Sequence, residues 1–224
     1  IGSKYKAGLG LQYLKGYLGD SIIKASFKEY FKTHALKIST STDFNNIISS
    51  KTEKDLKWFF GDYIQTNKKI DYIIKKVTTV GDSLEIKIKN KRNIIAPVAL
   101  YGVKNKDIKF KTWVTGIDST KTVTIAKGDF DKISLNYEQL YPEYNSLNNW
   151  KKVKKSFLNK PIQLRPVKDI QDPYYHQLFY QPDISYNYYD GLSIGLKLHN
   201  KPVISRNFSF KVIPTYASKS KTLT

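Results

Sequence analysis

Apolar residues recur at helical spacing as far as residue 64 and alternate from about residue 70. Leu11, Leu14 and Leu18 make the first spaced face, which Gly19 ends. Asp20 or Ser21 can cap a second helix carrying Ile22, Ile23, Phe27, Tyr30 and Phe31. His34 falls at its C-terminal end, where the helix dipole favours a cation. Thr40 or Thr42, with Asp43, starts a short third helix bearing Phe44, Ile47 and Ile48. In Ser50–Ile64, Leu56, Phe59, Phe60, Tyr63 and Ile64 share one broad helical face. Ser50 and Glu53 have capping-box spacing, so a fourth helix is expected from Ser50. An aromatic face that wide must be buried, and the helix is expected to close one domain and dock the next.

Strands begin with IDYIIKKV at 70–77. Leu84, Ile86 and Ile88 alternate with charged neighbours, as do Ile108, Phe110, Thr112 and Val114. Val98 with Leu100, Val123 with Ile125, and Ile133 with Leu135 complete six or seven short strands separated by turn residues. That spacing predicts an antiparallel β-sandwich. Residues 138–182 mix Pro, Asn, Tyr and charge without a sustained period and read as a linker packed on its surroundings. The lysine run at 151–155 is flanked by Trp150 and Phe157, so either a solvated face or an interfacial segment fits it.

The last stretch, 183–224, alternates for longer. Leu192, Ile194, Leu196 and Leu198 point one way, and Ser193, Gly195, Lys197 and His199 the other. A second strand is expected over Phe208–Ala217. Apolar on one side and small or polar on the other is the pattern of transmembrane barrel strands. Tyr186, Tyr188 and Tyr189 lie where an aromatic girdle would sit. An ordinary hairpin fits the same alternation, which by itself leaves both readings open.

Composition alters this picture in a few places. With 224 residues there is ample material for a core, and no apolar run is long enough for a transmembrane helix. The chain opens IGSKYKAG, without an initiator Met or a leader, and reads as an internal piece of a longer protein. The absence of Cys excludes disulfides, thiolate metal sites and Cys nucleophiles. A net charge of +19 invites a nucleic-acid partner. Yet the charge is nearly all Lys, spread along the chain, with only Arg92, Arg165 and Arg206 to supply bidentate contacts. Nucleic acid is therefore an unlikely partner, and an anionic surface a better one. His34, His176 and His199 lack metal-ligand spacing, and there is no His-Glu-x-x-His, phosphate loop or nucleophile elbow. Asp169 with Asp172, or Glu138 with Glu143, read as turn or surface carboxylates rather than as a catalytic pair. Taken alone, the chain carries no catalytic constellation.

Certain runs resemble a known series. YKAGLGLQYLKGYLG (5–19), SFKEYF (26–31), the Asp43-Phe44 pair and KDLKWFFGDYI (54–64) are similar, in that order, to the helical C-terminal part of the catalytic region in gluzincin zinc aminopeptidases of the membrane alanyl aminopeptidase type. The sandwich would then match the small β-domain that follows in that family. NSLNNWKKV (145–153), residues 168–201 and FKVIPTYASKSKTLT (210–224) resemble Gram-negative proteins in which a peptidase-like part is fused to an outer-membrane barrel of surface-antigen type. In the family the zinc motif and its third Glu ligand lie upstream of the matched part. Aligning the motif lysine on Lys6 puts Lys4 where the family has its transition-state Tyr, with Tyr5 beside it.

The resemblance implies an α+β multidomain chain: a helical subdomain over 1–68, an antiparallel β-sandwich over 69–137, the linker, and the first strands of an outer-membrane-type β-barrel. It implies peptide-bond hydrolysis at an upstream zinc, which polarises the scissile carbonyl and activates water. This segment would then be structural, with Lys4 or Tyr5 as the catalytic candidate and no metal or cofactor ligand of its own. Implied partners are the outer membrane of a Gram-negative bacterium, other outer-membrane or periplasmic proteins, and a peptide substrate if the parent is active. The soluble part would be periplasmic or surface-exposed. The alternative is a catalytically degenerate peptidase-like scaffold that serves binding or assembly at the same membrane.

Overall fold

The structure, a computed structural model, describes residues 2–154, 157, 158, 160–203 and 208–223. Lys155 of the lysine run and Arg206 lie outside the described residues. The chain is a mixed α and β structure that separates into two compact units, Ile1–Phe157 and Leu158–Thr224.

The first unit opens with three helices, α1 (Gly2–Leu18), α2 (Asp20–His34) and α3 (Ser41–Ser49). Gly19 separates the first two at φ 95°, a conformation open to glycine at little cost, and its N–H donates to the Lys15 carbonyl at 2.9 Å. Asp20 does not cap α2. It lies within the first turn, paired with Lys15 at 3.1 Å and Lys24 at 3.4 Å. The capping box forms on α3 instead, where the Thr40 N–H donates to the Asp43 carboxylate at 2.7 Å.

The box expected at Ser50 and Glu53 does not form. Ser50 ends α3: its N–H donates to the Asn46 carbonyl at 3.1 Å and its hydroxyl to the Ile47 carbonyl at 2.8 Å. The next helical segment starts only after Asp55, whose carboxylate accepts from the Lys57 N–H at 2.9 Å. That segment, Trp58–Ile64, is a π-helix. Its wider turn brings Trp58, Phe59, Phe60 and Tyr63 all into the core and leaves Ile64 at the surface.

Seven strands follow: β1 (Tyr72–Val80), β2 (Ser83–Asn90), β3 (Val98–Lys104), β4 (Asp107–Val114), β5 (Thr120–Ala126), β6 (Lys132–Leu135) and β7 (Trp150–Lys152). They make two antiparallel sheets, ordered β1-β2-β5 and β4-β3-β6-β7. Leu84, Ile86 and Ile88 of β2 are fully buried between exposed Glu85, Lys87 and Lys89, as the alternation requires. β3 is buried from Val98 through Val103 because both of its faces are covered. Leu100 faces the common core, while Ala99, Tyr101 and Val103 form a smaller cluster under Trp113 and Tyr137. The common core joins both sheets to Tyr13, Leu14, Tyr17 and the π-helical aromatics. Each large side chain fully buried there stabilises the fold by about 1.5–3 kcal/mol. The segment after β6 stays in this unit: Tyr141 and Trp150 are buried, and β7 pairs with β6.

The second unit is one sheet of β8 (Ile162–Pro166), β9 (His176–Asn187), β10 (Gly191–His199), β11 (Lys211–Val212) and β12 (Thr215–Ala217). The order is β11-β10-β9-β8, with β12 also on β10. Only the β8–β9 pair is parallel. The sheet is open, with no closed barrel among the described residues. The strand expected over Phe208–Ala217 is split at Pro214, which has no N–H to donate. The Pro214 carbonyl instead accepts from the Leu196 N–H at 3.1 Å. Tyr186 ends up inside β9, with Tyr188 and Tyr189 in the turn that follows.

Candidate functional site

Three places carry the chemistry that the sequence or the fold singles out. The first is the start of α1. Lys4 and Tyr5 lie in its first turns, and Tyr5 is 74% exposed. The helix is anchored from its other side. The Lys6 ammonium donates to the Thr66 carbonyl at 2.5 Å, and the Tyr63 hydroxyl donates to the Lys6 carbonyl at 3.2 Å. Gly10 brings α1 onto the π-helix so closely that a Cβ there would stand 2.6 Å from Tyr63 Cε1. Lys4 and Tyr5 thus lie on a helix held in place by these contacts. Among the described residues no three His, Asp or Glu side chains are grouped to hold a metal ion.

The second place is the segment after β6, whose chemistry the sequence did not reveal. Glu138 behaves as a surface carboxylate, accepting from the Tyr101 hydroxyl at 2.7 Å and pairing with Lys111. Glu143 does not. Its carboxylate accepts from the Tyr72 N–H at 2.8 Å and from the Asn149 side chain at 2.6 Å, clasping the segment to the edge of β1. Burial pushes the Glu143 carboxyl up to about 7, against the opposing effect of those hydrogen bonds, and nearby Asp71 adds to the rise. Burial also raises Asp71, although Arg92 at 3.9 Å holds it down in part. Tyr13 and Tyr141 are raised by burial too and stack at 4.2 Å between centroids. The mixed Pro, Asn, Tyr and charge of 138–182 read as a linker, and nothing in it marked Glu143 as buried.

A cavity of about 430 Å³ lies near the helix–sheet junction, lined by Tyr17, Lys54, Asp55, Trp58, Pro97 and Thr115. Its polar groups are engaged in local structure. Lys54 donates to the Tyr17 carbonyl at 2.7 Å and lies over the Tyr17 ring, and Asp55 accepts from the Lys57 N–H just before the π-helix.

The third place is the sheet of the second unit, whose polarity is inverted. Cross-strand partners Leu192 with Tyr186, Ile194 with Ile184, and Ile194 with Tyr216 place large apolar side chains on one face. That face is open: Ile184 is 69% exposed, Ile194 58% and Tyr216 52%. The opposite face carries Gln177, Ser193, His199 and Ala217 with one large apolar residue, Phe179, all buried. A water-soluble sheet buries its apolar side and exposes its polar one; this sheet does the reverse. Tyr186, Tyr188 and Tyr189 stand at one end of the apolar band, all exposed. No helix among the described residues is long and apolar enough to cross a membrane.

No family model matches the chain, and no curated protein does. Chains of solved structures do match, among them Legionella pneumophila aminopeptidase A, solved in complex with aspartic acid. The TM-score is 0.51 at 16% identity, covering 63% of this chain and 18% of that one. The likeness is one of fold, to part of an aminopeptidase. The chain spans less than a fifth of that protein's length.

Proposed function

We propose that this chain is the structural C-terminal segment of a gluzincin-like metallopeptidase anchored in a Gram-negative outer membrane. The first unit backs the peptidase cleft with its helices and carries the β-sandwich domain. The second unit supplies barrel strands. The inverted sheet carries this reading: Ile184, Ile194, Leu192, Leu196, Tyr186, Val212 and Tyr216 are 43–77% exposed, so roughly 8 kcal/mol of favourable burial is forgone if they stay in water, at ~2 kcal/mol for a whole side chain. A lipid phase removes that cost. From Leu192 to Leu198 the band runs about 20 Å along the strand, near the height of a barrel's apolar belt. Support for the peptidase part comes from the aminopeptidase-like fold and from the ordered motifs at 5–19, 26–31 and 54–64.

The membrane reading is tested by flotation with vesicles of phosphatidylcholine, whose headgroup is neutral overall and so does not recruit the net charge of +19. The chain is expected to float with them in 0.5 M salt. Ile184→Asp with Ile194→Asp should reduce the bound fraction at least tenfold, since each buried charge costs a few kcal/mol in the apolar belt. Equal flotation of the variant would refute the reading. A second reading, the degenerate scaffold used for binding or assembly, draws on Lys4 standing where the family has Tyr. Full-length protein with stoichiometric zinc and turnover of a peptide amide would exclude it.

A further inference from the structure

At the end of β10 away from the tyrosine turn, on the polar face, Lys168, Lys197, Lys201 and Lys211 line a cavity of about 280 Å³ together with His199 and Phe210. The register explains why they meet. Lys197 and His199 share a face of β10, and Lys211 of β11 is the direct partner of His199. The Asn200 side chain pins the returning segment by accepting from the Phe210 N–H at 2.9 Å. Lys168 arrives from the loop after β8, which the Val203 N–H ties down through the Asp169 carbonyl at 3.1 Å. None of the four lysines makes an ion pair among the described residues. Asp169 pairs with Arg165 at 3.5 Å, and Asp183 lies opposite Gly195, two residues along from Lys197.

His199 supplies the second observation. It is 3% exposed and its ring stacks on Phe179 at 5.5 Å. Its Nδ1 accepts from the Lys201 N–H at 3.3 Å, which leaves the proton on Nε2. That Nε2 is buried without a well-formed hydrogen bond, although the Val167 backbone interacts with the imidazole. A buried donor left unpaired costs about 1–3 kcal/mol, and like charges on the four lysines lining one cavity repel one another. An acceptor carrying two negative charges relieves both penalties.

We propose that this cavity binds a phosphate monoester group, with His199 Nε2–H as a buried hydrogen-bond donor, the four lysines as charge partners, and Phe210 against the organic part. Lysine suits this as a compact point charge that needs no fixed bidentate geometry. The group can come from a lipid headgroup or from a soluble phosphate. The site does not depend on the membrane reading, because it lies on the polar face and binds through charge.

The test is calorimetric titration of the full chain at pH 7 and low salt with inorganic phosphate, and in parallel with phosphatidate in phosphatidylcholine vesicles. Saturable one-site binding is expected in at least one arm. Saturation with inorganic phosphate identifies a soluble ligand, and saturation with phosphatidate alone identifies a lipid headgroup. Lys197→Gln with Lys211→Gln should weaken binding at least tenfold, and His199→Phe about fivefold. Lys197→Arg with Lys211→Arg should restore most of it, which separates loss of charge from loss of fold. Lys219→Gln with Lys221→Gln, outside the cavity, serves as the control. No saturation in either arm, or equal weakening by both lysine-to-glutamine pairs, would overturn the proposal in favour of diffuse attraction. Loss of flotation on neutral vesicles bears only on the membrane reading.

Discussion

Glu143 shows how far one residue's behaviour can depart from its sequence setting. It sits in a Pro-, Tyr- and Asn-rich stretch, which in general forms solvated turns, yet it is enclosed against β1 beside Asp71 and Tyr141. Burial outweighs the hydrogen bonds from the Tyr72 N–H and from the Asn149 and Asn136 side chains, all of which favour the charged form. The folded state therefore holds its proton up to about pH 7, while the unfolded chain releases it near the ordinary glutamate value of 4.5. Between those values the folded state binds more protons, so stability falls as pH rises and levels off above about 7. The span corresponds to about 3 kcal/mol at most. Chemical denaturation of Glu143→Gln across pH 4.5 to 8 should lose most of that slope relative to the unmodified chain. An unchanged slope would place the pH dependence elsewhere. The same residue marks the limit of sequence reading. Glu138 and Glu143 look alike in the chain, and what separates them is a long-range contact, to Lys111 in one case and to the Tyr72 N–H in the other.

At the scale of elements, regular periods were legible and interruptions were not. Leu84, Ile86 and Ile88 announced β2, and the alternation of 192–199 announced β10, because a period of two follows from backbone geometry alone. The fourth helix was legible as an aromatic helical segment but not in its start or its type. Local competition decides those: Ser50 bonds backward into α3, Asp55 bonds forward, and the π-turn fits Trp58 alongside Phe59, Phe60 and Tyr63. Capping-box spacing at Ser50 and Glu53 was present, but a local hydrogen bond to Ile47 used the hydroxyl. The close approach of α1 to this segment rests on Gly10. In Gly10→Val the side chain would meet Tyr63 and Phe59 within 3.0 Å. Overpacking of that kind costs about 1–3 kcal/mol, and the helix propensity regained offsets only part of it. Thermal unfolding should show a lower midpoint for Gly10→Val. Gly8→Val on the same helix, where a Cβ meets nothing within 4 Å, should be near neutral. Equal effects at the two positions would mean that α1 does not rest on the π-helix as the core packing indicates.

For the whole molecule, the two units differ in how much apolar surface each leaves exposed. The first encloses its apolar residues: the cluster from Tyr13 to Tyr141 joins three helices, a π-turn and two sheets, and water reaches little of it. The second exposes its apolar face, and its strands β11 and β12 are two and three residues long. Short strands with an open edge and a solvated apolar face open locally at little free-energy cost in water. Amide hydrogen exchange should therefore divide the chain. In buffer, the β2 and β3 amides are expected to exchange only through global unfolding, and the β9 and β10 amides on a timescale at least a hundredfold shorter. Adding detergent micelles above their critical concentration should slow β9 and β10 by tenfold or more and leave β2 and β3 unaffected. The lipid-like phase covers Ile184, Ile194 and Tyr216, whereas the first unit's core is already dry. Protection of β9 and β10 equal to that of β2 in buffer alone would show that water is a sufficient solvent for the second sheet. Its apolar face would then need a protein neighbour rather than a membrane.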